Sequence, residues 1–157
     1  MAPAICEDLG MAILCDYFAA ADDDAAATVL DLDAGPTSAP GYTTVSLPGI
    51  EPIVTMQTLE ELLTGRSEDE VTENPRQGEI VADGPDRSMV VAITAELQAG
   101  LVAADDGRLR QVAIDWAGTE ELDGSDPEFL GDALVDLADL ARTAADRGDA
   151  LYCWLNE

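Results

Sequence analysis

The strongest constraint on the fold lies at the C-terminal end, where residues 125–147 carry the pattern of one amphipathic helix and residues 150–155 follow as a strand. Phe129, Leu130, Ala133, Leu134, Leu137, Leu140, Ala141 and Ala144 recur at the three-and-four spacing of one helix face, while Asp132, Asp136, Asp139, Thr143 and Asp146 take the other. A helix so divided has to lie on an apolar surface. The segment Leu151-Tyr-Cys-Trp-Leu155 has the branched and aromatic content of a β-strand and offers that surface as part of a sheet. Ser125-Asp-Pro-Glu128 has capping-box spacing with proline in the first turn, and Gly148 marks the stop.

The rest of the chain reads as elements that can join that sheet. Ile13 to Ala19 is a first strand, and Asp22, Asp23 and Asp24 supply an N-cap and an acidic first turn for a helix to about Leu32. Residues 35–41, with Pro36 and Pro40, form a loop, and Tyr42 to Leu47 is a short strand. A helix over residues 50–64 buries Ile53, Met56, Leu59, Leu62 and Leu63 and ends at Gly65. Residues 66–78 form a polar surface excursion. Glu79 to Asp83 and Ser88 to Ile93 are the strands of a hairpin. Thr94 caps a helix through Ala103, a second helix from about Asp106 carries Leu109, Val112, Ala113 and Trp116 on one face, and Glu120 to Gly124 connect it to the last helix. The expected architecture is α+β: a small mixed sheet that includes both terminal strands, packed by several helices. At 157 residues the chain fits a single domain over residues 11–157. Residues 1–10 lack periodicity and read as an appended extension, with Met11 as a candidate original start.

Composition narrows function mainly by exclusion. The chain has 33 acidic residues against seven arginines, no lysine and no histidine, for a formal net charge of -26. Such a surface repels nucleic acid and anionic membrane, whose affinity for proteins depends on clustered Lys and Arg. The 47% hydrophobic content, with its periodic segments, separates the chain from disordered acidic proteins. Without histidine there is no Ser-His-Asp or Cys-His nucleophile system and no imidazole metal site; without lysine there is no Schiff base and no P-loop. Catalysis by carboxylate, Cys or Tyr stays open. The acidity itself has three readings: solvation, a patch that docks a basic partner, and mimicry of a nucleic acid.

Cys6, Cys15 and Cys153 are odd in number and widely spaced, which is neither a disulfide framework nor a zinc site. If the terminal strands are neighbours, Cys15 and Cys153 approach each other. Glu7 and Asp8 stand where a signal peptide would carry positive charge, and the run from Met11 to Cys15 is too short for a membrane span, so a reduced, cytoplasmic setting is expected. The three adjacent aspartates are explained by helix capping. Asp31-Leu-Asp33-Ala-Gly35 opens like a calcium loop, but Tyr42 occupies the place of the bidentate Glu, so no metal and no cofactor is expected.

Met11-Ala-Ile-Leu-Cys-Asp-Tyr-Phe18, Leu59-Glu-Glu-Leu-Leu-Thr-Gly65, Trp116-Ala-Gly-Thr-Glu-Glu121 and Leu151-Tyr-Cys-Trp-Leu155 resemble uncharacterised small acidic proteins of actinobacteria. More distantly, the layout from Met11 onward resembles the YfbM-like family of unknown function. The resemblance implies a single cytoplasmic α+β domain and brings no catalytic residue.

Two functional readings follow. In the first the chain is a non-enzymatic interaction module, of the inhibitor or immunity type, that docks a basic protein through an acidic face. Its candidate contacts are Glu68, Asp69, Glu70, Glu73, Glu120 and Glu121, with Trp116 as either an anchor or a core residue. In the second, Tyr17, Tyr152 and Trp154 line a pocket near the terminal strands, with Glu120 or Glu121 as an acid or base for a small molecule. Partner identity and oligomeric state are not written in the sequence.

Overall fold

The structure is a computed structural model and describes residues 14–36, 43–47, 49–84, 88–122 and 124–156, with the side chains of Asp33, Ala34 and Glu121 excepted. The first strand, β1 (Leu14–Ala20), leads into α1 (Asp23–Ala27), a 3-10 turn (Thr28–Asp31) and a short strand β2 (Asp33–Pro36). The edge strand β3 (Thr44–Ser46) precedes helices α2 (Val54–Thr64) and α3 (Glu68–Thr72). The hairpin strands β4 (Ile80–Asp83) and β5 (Ser88–Ala92) come next, then α4 (Ala95–Ala103) and α5 (Asp106–Ala117). A 3-10 turn (Glu120–Leu122), the long helix α6 (Pro127–Arg147) and the last strand β6 (Ala150–Asn156) complete the chain.

Five strands form one sheet in the order β3-β1-β6-β5-β4. All four described pairings are antiparallel, so the sheet is antiparallel rather than mixed. The reason lies in the connections: α4, α5 and α6 carry the chain from β5 back to the sheet so that β6 enters between β1 and β5 against both of them. The two terminal strands are neighbours along their whole length, from Leu14 opposite Asn156 to Ala20 opposite Ala150.

Because strand side chains alternate, this register divides the sheet into two buried faces. Cys15, Tyr17, Val91, Leu151, Cys153 and Leu155 face the helices and merge with the apolar stripes of α2, α4, α5 and α6 into the main core. Phe18, Ala20, Val90, Ala92, Tyr152 and Trp154 face the other way, against Ala26 and Val29 of the segment between β1 and β3. Gly35 of β2 sits at φ 68°, and a Cβ there would lie 2.5 Å from the Trp154 ring, so its missing side chain lets the backbone rest on the indole.

The expected helix signals are in place with small shifts. Asp22 accepts from Ala25 N at 2.9 Å, Thr94 caps α4, and Gly65 and Gly148 take left-handed caps at φ 78° and 76°. Asp126, not Ser125, caps α6. The start of α2 moves to Val54 because the Glu51 carboxylate accepts from the N–H groups of Ile53, Val54 and Thr55. Three expectations change more: the first helix gives way to a 3-10 turn after Ala27, residues 33–36 form a strand, and the polar excursion after Arg66 contains α3. The readings of residues 1–10, Met11, Cys6 and Tyr42 fall outside the described residues. No helix among the described residues is long and apolar enough to cross a membrane.

Candidate functional site

The structure does not gather the expected terminal-strand pocket. Tyr17 pairs with Cys153 in the register and points to the helical side, where it is buried and donates to Ile50 O at 2.6 Å. Tyr152 and Trp154 lie on the opposite face, each buried under the segment that follows β1. One sheet therefore separates the three aromatics. Cys15 and Cys153, diagonal neighbours on the helical side, are both fully buried, and burial pushes the Cys153 thiol well up.

A carboxylate does stand beside Tyr152, but it is held as an anion. Arg76 grips Asp23 with both terminal nitrogens, places a third contact on Glu79 at 2.7 Å, and stacks over the Tyr152 ring at 5.8 Å. Tyr152 donates to Asp23 Oδ1 at 2.8 Å. The Arg76 hydrogen bonds, then that of Tyr152, hold the Asp23 carboxyl below its usual range, while burial and the Asp23 bond raise the tyrosine. A carboxylate so stabilised is a poor base. The cluster ties α1 to the 76–79 turn and to β6, and the depression beside it is lined by Asp22, Asp23, Asp24 and Arg76. Its role is a clasp.

Glu60 is the other carboxyl set apart from solvent. It is 1% exposed, accepts from Thr94 Oγ1 at 2.6 Å, and lies 3.7 Å from Arg66 Nε. Its Oε2 has no hydrogen-bond partner among the described residues, and burial pushes its pKa up. The adjoining cavity, about 10 Å³ between Glu60, Gln77 and Thr94, is room for one water and not for a substrate. Among the described residues no group of three or more Cys, Asp or Glu is placed to hold a metal ion.

Of the expected partner contacts, Glu68, Asp69 and Glu70 form the exposed first turn of α3, followed by exposed Glu73. Glu70 closes a capping box with Ser67. Glu120 is exposed in its 3-10 turn; Glu121 shares that turn, with its side chain outside the description. Of the two readings of Trp116 the core one holds: it is fully buried and its Nε1 donates to Thr55 O at 3.1 Å, which makes it a core tie between α5 and α2 and not a surface anchor.

A further concavity lies between β3 and α6, with a volume of about 460 Å³. One wall is Thr43 to Leu47; the other is the border between the apolar and acidic sides of α6, with Phe129, Ala133 and Leu140 beside Asp132, Asp136 and Asp139. All three residues of β3 and the one on either side line it, which places it along the outer edge of β3. Leu47 N donates to Cys15 O at 2.8 Å, so by antiparallel alternation Val45 and Leu47 turn their peptide groups to β1 while Thr44 and Ser46 turn theirs outward. No strand among the described residues pairs with that outer edge. Phe129, 52% exposed, closes one end. Asp132 and Asp139 each engage one arginine through Oδ1 only, at 2.9 and 3.2 Å, and Asp136 has no ion pair among the described residues. Sequence reading identified these aspartates only as the polar side of a helix. Their signal was a run of acids along a helix whose basic residues, Arg142 and Arg147, come only in its last two turns.

No protein-family model matches the chain, and no curated protein matches it. Among solved structures it is similar to YfbM from Escherichia coli, a protein of unknown function, at 13% identity and a TM-score of 0.47, over 90% of this chain and 99% of that one.

Proposed function

We propose that this chain is a non-enzymatic interaction module that docks a basic protein through its acidic surface. The observation that carries the reading is the groove between β3 and α6, where a strand edge with no pairing strand among the described residues, an apolar floor and three aspartates meet. The handling of the arginines supports it. Arg76 and Arg110 pair with aspartates, Arg108 donates to Leu62 O, Arg142 donates to Ala104 O and Val102 O, and Arg66 lies against Glu60. With these cations engaged internally, the outward field is negative, which speeds encounter with a positive partner and rejects acidic ones. The exposed acids Glu68, Asp69, Glu73 and Glu120 belong to that field. A cytoplasmic setting is part of the proposal, consistent with the unoxidised thiol of Cys153.

The test is affinity capture from native lysate at low and at high salt, with the retained protein identified by mass spectrometry. A stoichiometric basic protein, released at high salt because exposed charge pairs are screened, is the expected result. Capture of no protein at either salt, or of an acidic one insensitive to salt, would contradict the reading.

A further inference from the structure

Resting on that reading, we infer that the β3–α6 groove takes an extended segment of the partner as an added sixth strand, with arginines at alternate positions directed at the aspartates of α6. The edge itself offers the backbone contacts. Thr44 and Ser46 present their N–H and C=O groups outward, the pattern an incoming strand needs for two pairs of main-chain bonds. The position of α6 offers the side-chain contacts. Side chains on the helical side of an added strand would enter the groove, between Val45 of β3 and the Asp132–Asp139 side of the helix.

The spacing agrees. Alternate residues of a strand lie about 6.8 Å apart, and Asp132 and Asp136 lie about 6 Å apart along the helix axis. Arginine fits better than lysine, because its guanidinium can take a carboxylate side-on and lie flat on the exposed Phe129 ring. The internal pairs of Asp132 and Asp139 leave Oδ2 for a newcomer, and such exposed pairs are worth about 1 kcal/mol or less, so they are readily rearranged.

Charge selects this occupant over the alternatives within the chain. Residues 1–13 and 37–42 contain no arginine or lysine, and a second copy would bring a further net charge of -26 to the same groove.

The test uses the full chain and a short blocked peptide with arginine at every second position between valine and threonine, followed by NMR and amide exchange. Slowed exchange at the Thr44 and Ser46 amides, shifts along residues 129–140, and at least a tenfold loss of affinity when the peptide is N-methylated on alternate residues are expected. Asp136→Asn should weaken binding several-fold without altering the exchange of the free protein. If the N-methylated peptide binds equally well, or the shifts fall on α3, acidic docking stands and strand addition is overturned. If no basic peptide binds at low salt, both fail. Slow exchange at Thr44 and Ser46 in the free monomer would assign the edge to the chain's own residues, and in a free dimer to a second copy; either result overturns the inference.

Discussion

Glu60 couples one atom to the pH dependence of the whole fold. Its folded-state pKa lies above the unfolded value, so its contribution to stability is complete below the unfolded carboxyl pKa, about 4.3, and is lost as pH rises through the folded value. Asp23 has the opposite sign: held low by Arg76, it contributes above its unfolded pKa and loses that contribution as pH falls. Replacing Glu60 with Gln keeps an oxygen for the Thr94 hydroxyl and removes the buried charge. The variant should lose less stability than the parent between pH 4 and pH 8 in urea denaturation; identical slopes would mean that Glu60 is as solvated in the folded state as in the unfolded one. Gly35 is a second residue whose identity is fixed by its surroundings. Gly35→Ala combines a left-handed backbone with a Cβ 2.5 Å from the Trp154 ring and should cost roughly 2–4 kcal/mol, read from the urea midpoint and accompanied by a changed indole emission.

At the scale of elements, α6 organises the molecule, and it was the part most open to sequence reading. Nine of its residues are buried, and its stripe follows the three-and-four spacing without a break. Truncating Leu134, which is fully buried, to alanine should cost roughly 2–5 kcal/mol, while Asp136→Ala on the opposite side should change stability by about 0.5 kcal/mol or less, both measured by chemical denaturation. The strands β1, β5 and β6 were legible for a similar reason: residues buried on both faces read as continuous branched and aromatic runs. What escaped was set by tertiary contact. The strand at residues 33–36 has the glycine and proline of a loop, and its conformation makes sense only against the Trp154 ring. Helix α3 is five residues long, too short for a periodic signal, and stands on its capping box. The groove was hidden for a different reason. Asp132, Asp136 and Asp139 were visible as a helix face, but nothing in the sequence placed β3 beside them, since that needs the sheet order. Tyr17 and Tyr152 were expected to share a pocket on the condition that the terminal strands lie side by side; the strands do, but which face each tyrosine occupies depends on a register that differs by one residue between the two outcomes.

For the whole molecule the question is whether the acidity serves recognition or solvation alone. A net charge of -26 on 157 residues acts against the compact state through self-repulsion, so stability should rise as salt screens it, whichever reading holds. Recognition makes a narrower claim: carboxylates of equal charge must differ in effect according to place. The most direct measurement is the affinity of the captured basic partner for two triple variants, one with Asp132, Asp136 and Asp139 changed to Asn and one with the exposed Asp83, Asp115 and Asp146 changed to Asn. Each lowers the negative charge by the same amount. The account predicts that the groove variant loses at least tenfold in affinity while the other stays within about twofold, with the wild-type difference shrinking at high salt. Equal losses in the two variants, or no loss in the groove variant, would contradict it.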